Sequence, residues 1–92
     1  MDLSKRLKVE VIGPEPPCSR CRSVKENAEK ASARIRANGI DVTVEKVNIL
    51  SEDVIGRYGI LLSPALAVNG VVRIMGRVPS DKEIERILAQ TS

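Results

Sequence analysis

Ninety-two residues are enough for one modest core, so a single domain spanning residues 1–92 is expected. Aromatic side chains make up 1% of the chain, a lone Tyr58. That leaves Val, Ile, Leu and Ala to build the core and argues against single-strand nucleic-acid recognition by stacking. The formal charge of +3, with acidic residues among the basic ones, does not mark a nucleic-acid binder. No apolar run approaches the roughly 18 residues of a membrane span, and the first residues lack a secretory apolar stretch. The reading is therefore a cytoplasmic protein with neither nucleic-acid nor membrane partners.

In chain order, Leu7, Val9 and Val11 alternate with Arg6, Lys8 and Glu10, the period of a strand with one apolar face and one polar face. Gly13-Pro14-Glu15-Pro16-Pro17 ends it, because prolines cannot donate to a ladder. A helix is predicted from near Cys18 to Asn38, with Cys21, Val24, Ala28, Ala31 and Ile35 on its core face and Asn38-Gly39 as its stop. A second strand follows over Asp41–Ile49. Ser51 then caps a short helix through Tyr58, with Glu52 and Asp53 in its first turn and Gly59 at its end.

Ser63-Pro64 precedes a buried-looking strand, Ala65–Val68. Asn69-Gly70 is a hairpin signal, and Val71–Met75 is the return strand. Ser80-Asp81-Lys82-Glu83 reads as a capping box opening a last helix with Ile84, Ile87 and Leu88 on its core face. The strands flanking the long helix should be parallel through a right-handed crossover, and the hairpin strands antiparallel. A mixed four-stranded sheet results.

Covalent chemistry is concentrated in Cys18-Ser19-Arg20-Cys21, which holds the only cysteines of a chain without histidine. A thiol at a helix N-terminus sits near unpaired N–H groups and the positive end of the dipole, which favours the thiolate. Arg20 and Arg22 add positive charge. Cys18 is thus the expected exposed attacking thiol, and Cys21, on the face shared with Val24 and Ala28, the shielded resolving thiol.

So short a disulfide loop would remove little unfolded-chain entropy, so a structural staple is a poor explanation. The rival reading is a thiolate metal-binding or metallochaperone module. A closed monomeric zinc site lacks its remaining ligands, but shared thiolates in a dimer or two-coordinate Cu(I) stay open. No metal site is assigned within the chain. Without histidine, a Ser-His or Cys-His hydrolase site is excluded. On general grounds the Ser63–Pro64 bond would be trans.

With C-x-x-C opening the long helix and Ser63-Pro64 opening the third strand, the sequence resembles the thioredoxin fold. More narrowly, it resembles the small, glutaredoxin-sized redox-active disulfide proteins of bacteria and archaea. Ser63–Gly70 is similar to their proline-strand-hairpin segment, and Gly76–Ser80 to the turn into the last helix. The resemblance implies an α/β thioredoxin-like fold, β-α-β-α-β-β-α, with helices on both faces of the sheet. It also implies a thiol–disulfide oxidoreductase whose redox group is the Cys18–Cys21 disulfide, with no other cofactor.

By the same resemblance, Cys18 is the nucleophile and Cys21 the resolving cysteine. Pro64 becomes a cis-proline facing them, and the backbone of Ser63 pairs with substrate. Disulfide-containing proteins are the implied substrates, and a thioredoxin-reductase-type flavoprotein the electron donor. Pro17 stands where thioredoxins usually carry tryptophan, and Ser19-Arg20 where they carry Gly-Pro; these three residues are expected to support the site. Neither the glutaredoxin Cys-Pro-Tyr-Cys nor its double glycine is present, so glutathione use does not carry over. Glu10 is the nearest acidic residue to the thiol pair in the first strand, yet alternation puts it on the polar face. A redox-inactive interaction domain of the same fold is the remaining alternative.

Overall fold

A computed structural model describes residues 6–14 and 19–91; Pro17 and Cys18 lie outside the described residues. The alternating segment forms strand β1 (Arg6–Gly13), and the long amphipathic stretch forms helix α1 (Ser19–Arg36). Strand β2 (Asp41–Asn48), helix α2 (Glu52–Tyr58), strands β3 (Ala65–Val68) and β4 (Val71–Met75), and helix α3 (Asp81–Thr91) follow. The sheet order is β2-β1-β3-β4. β1 runs parallel to β2 and antiparallel to β3, and β3 runs antiparallel to β4. The expected mixed four-stranded sheet is therefore present, with β1 and β3 at its centre.

The termini follow local chemistry. The Ser51 hydroxyl accepts from the Val54 N–H at 3.2 Å, which caps α2, and Gly59 ends that helix at φ 80°. At α3 the Ser80 hydroxyl accepts from the Glu83 N–H, and the Glu83 carboxylate is held by both guanidinium nitrogens of Arg77. Arg77, with a further bond from the Ser80 N–H, keeps the Glu83 carboxyl below its usual range. Asn69 (φ 51°) and Gly70 (φ 82°) form the two-residue turn between β3 and β4, both left-handed as a type I′ turn requires. Further along this hairpin, Ala67 pairs with Val72 and Leu66 with Ile74, so Arg73 is the extra residue of a bulge.

One core lies under α1 and α3. There Leu7, Val9 and Val11 of β1 meet Val24, Ala28 and Ile35 of α1, and Ile84 and Leu88 of α3. A second core lies on the opposite face, where Ile12, Ala65 and Ala67 meet Val54 of α2. Helices thus cover both faces, as expected. Every residue assigned to the core faces of α1 and α3 is buried; Ser32 of α1 is buried as well, and its hydroxyl has no hydrogen-bond partner.

The second core corrects the reading of β1. Glu10 is not on a solvated polar face: it is 2% exposed, under α2. Its Oε1 accepts from Tyr58 at 2.5 Å and Arg57 Nη1 at 3.1 Å, and its Oε2 from Arg57 Nη2 at 2.8 Å. The Arg57 guanidinium lowers the Glu10 carboxyl against the opposing effect of burial. Burial, and then the Glu10 carboxylate, push the Tyr58 hydroxyl up to about 12. A charge with three donors can be buried where an unpaired one could not. Alternation identified which residues share a face; it could not show that α2 would cover the second one.

Candidate active site

Cys21 is fully buried two residues into α1, on the face that packs against the end of β1. Its Sγ lies 3.6 Å from the Ser63 hydroxyl, the residue before Pro64. The Ser63–Pro64 peptide bond is cis. The fold thus brings Cys21 of α1 against the Ser63-Pro64 segment, 42 residues away in sequence at Ser63. The nucleophile assigned from sequence, Cys18, and the supporting Pro17 belong to the segment outside the described residues. Ser19 and Arg20 open the helix and are exposed.

Arg20 reaches the residue that follows β4. Its Nη2 donates to the Gly76 carbonyl at 3.1 Å, and the Gly76 N–H donates to the Pro64 carbonyl at 2.9 Å. One residue at the end of β4 therefore ties the start of α1 to the proline segment. Gly76 has φ 81°, a left-handed conformation that glycine adopts without strain.

Sequence reading missed three further parts of this region. Gly13, taken as part of a strand-ending turn, is the last residue of β1, and its Cα faces the Cys21 sulfur. Its place in the series Leu7, Val9, Val11, Gly13 was the available signal: a missing side chain on the inward face, opposite the helix that carries Cys21. Lys46 of β2 places Nζ 3.2 Å from each of the Gly13 and Pro14 carbonyls, holding the strand end that leads toward Cys18. Third, an apolar groove of about 320 Å³ runs up to Ser63, lined by Ile49, Leu50, Ile55, Ile60, Leu61 and Leu62. Ile60 is 92% exposed, and Leu50 and Leu62 are also largely exposed. Nothing in the periodicity of this loop distinguishes a groove from buried packing.

A mixed sheet covered on both faces, with a helix-borne cysteine against a cis-proline segment, defines a thioredoxin-like α/β protein. The thioredoxin domain family matches residues 7–89. A thioredoxin of Methanothermobacter thermautotrophicus is 36% identical over 83 residues, covering 90% of this chain and 99% of that protein. A probable thioredoxin of Methanothermobacter marburgensis is 34% identical over 83 residues, covering 88% and 92%. The solution structure of the oxidised thioredoxin from Plasmodium falciparum superposes with a TM-score of 0.65 at 17% identity, over 95% of this chain and 82% of that one. That last likeness speaks for the fold.

The chain belongs to the thioredoxin domain family, and its function is of the thiol–disulfide oxidoreductase type. Among the described residues, no helix is long and apolar enough to cross a membrane.

Proposed function

We propose that this protein reduces disulfides in partner proteins through a Cys18–Cys21 dithiol, with Cys18 attacking and Cys21 resolving. The observation that carries the reading is the seat of Cys21, fully buried at the start of α1 with its sulfur 3.6 Å from Ser63. A thiol so shielded suits attack on a disulfide formed by its C-x-x-C neighbour, and suits poorly a first encounter with a protein substrate.

In the cycle, the Cys18 thiolate displaces one sulfur of the partner's disulfide and forms a mixed disulfide. Cys21, as thiolate, then attacks the Cys18 sulfur. A Cys18–Cys21 bond forms, the bond to the partner breaks, and the second partner sulfur leaves as a thiolate that takes up a proton. The partner's disulfide gains two electrons and the dithiol loses two. A thioredoxin-reductase-type flavoprotein returns them, and no cofactor beyond the Cys18–Cys21 disulfide is needed.

Ser63 is part of the lining of the apolar groove, and in this reading its backbone pairs with the substrate chain. The groove then receives apolar residues flanking the target disulfide. Pro64 backs the thiol pair, and Pro17, Ser19 and Arg20 shape the approach to Cys18. The working compartment is the reducing cytoplasm, with neither nucleic acid nor membrane as partner.

The test is insulin disulfide reduction with single cysteine variants. Cys18→Ser abolishes turnover, and Cys21→Ser accumulates the partner as a mixed disulfide on Cys18. Full turnover by Cys18→Ser would overturn the assignment.

A further inference from the structure

We propose that Gly13 is a positioning residue for Cys21: the side chain it lacks is the space in which the resolving sulfur sits. A Cβ built on Gly13 would lie 2.5 Å from Cys21 Sγ, 3.5 Å from Cys21 Cβ and 3.5 Å from the Ser63 hydroxyl oxygen. Only the sulfur is approached too closely. Gly13 does not have the positive φ that favours glycine, so alanine could adopt its backbone without strain. The requirement for glycine here is one of space.

Neither backbone is free to make that space. The Gly13 carbonyl accepts from the Ile49 N–H at 2.9 Å and from Lys46 Nζ at 3.2 Å, and Gly13 is in register with Asn48 of β2. On the other side, α1 is held down by Val24 and Ala28, both buried against the sheet. Rotation about the Cys21 Cα–Cβ bond is the softest response, and it carries the sulfur from 2.5 Å toward the 3.4 Å of ordinary contact. The reacting atom thus absorbs the displacement.

The inference rests on the dithiol reading, and its consequence falls on one step. Resolution requires Cys21 Sγ to approach the Cys18 sulfur in line with the bond being broken. A misplacement of about 1 Å can cost on the order of 100-fold in such a step. The first attack, by Cys18, does not use the Cys21 sulfur.

The test uses the whole chain and the aryl disulfide dithiobis(nitrobenzoate). Cys18 attack releases one nitrothiobenzoate and leaves the other as a mixed disulfide; Cys21 attack releases the second. In Gly13→Ala, the first release keeps its rate within about 3-fold, and the second slows by roughly 10- to 100-fold. Thermal melts add a packing test. Gly13→Ala lowers the melting temperature of the wild type, but not of Cys21→Ala, where the new methyl fills the room left by the sulfur.

If Gly13→Ala alone fails to fold, the double variant still folds. An unchanged second release in folded Gly13→Ala, an equal thermal cost in both backgrounds, or an unfolded double variant would each overturn the proposal. Wild-type protein that releases no nitrothiobenzoate would overturn the oxidoreductase reading and Gly13's kinetic role with it. Normal wild-type release beside an unaltered Gly13→Ala overturns Gly13's role alone.

Discussion

Replacing Glu10 by glutamine keeps the shape of the side chain and removes its charge. The carboxylate accepts three hydrogen bonds, two from Arg57 and one from Tyr58, while only 2% exposed. The amide has a single oxygen. If that oxygen takes the place of Oε1, the NH₂ group faces Arg57 Nη2 donor to donor. At least one bond to a charged group is lost, and a buried donor is left facing another, a combined cost of about 2 kcal/mol at neutral pH. For a domain of this size, that lowers the melting temperature by roughly 8–16 °C.

The pH dependence has a definite sign. The Glu10 carboxyl is lowered in the folded state, so its contribution is fully present above the unfolded value of about 4.3 and is lost as pH falls through the lower folded value. Melting curves of both proteins should therefore lie far apart at neutral pH and converge in acid below about pH 4. Thiol-exchange rates at room temperature should match, because Glu10 points to the face of β1 opposite Cys21. Equal melting temperatures at neutral pH, or a gap that persists unchanged into strong acid, would refute this account of the cluster.

Leu66 is fully buried between β1 and β4, and Leu66→Ala should cost about 3–5 kcal/mol in urea unfolding; under 1 kcal/mol would mean the core is not as packed as described. Gly70→Ala loses no contact, since nothing lies within 4 Å of the added Cβ, yet φ 82° should make it cost about 1 kcal/mol by the same assay. Ile60→Asp, at a side chain 92% exposed, should leave stability within about 0.5 kcal/mol. It should nevertheless lower kcat/KM several-fold for peptide disulfides with apolar flanks and spare those with charged flanks; equal effects on both would exclude the groove from recognition.

Much of the architecture is legible in residue pattern, because its determinants are local. Ser51, Gly59, Ser80 and Asn69-Gly70 mark their helix ends and turn through side-chain caps and φ preferences that act within a few residues. The core faces of α1 and α3 follow from helical spacing alone. What the pattern does not carry is set by neighbours distant in sequence. Glu10 looks solvated until α2, over 40 residues later, supplies Arg57 and Tyr58. Sheet order depends on which edge β3 joins, and nothing within β3 records that choice. Within the site, Cys21 and Ser63-Pro64 could be singled out by type, whereas Gly13, Lys46 and the groove are defined by what lies across from them.

An intramolecular Cys18–Cys21 couple stands or falls on an equilibrium redox titration of the whole protein against dithiothreitol, with free thiols counted by mass tagging. One reversible two-electron transition is expected, in which Cys18 and Cys21 lose their tags together, and that transition should be lost in either cysteine variant. Thiols that stay tagged at every potential, or oxidise only into linked dimers, would contradict an intramolecular redox couple and the function built on it.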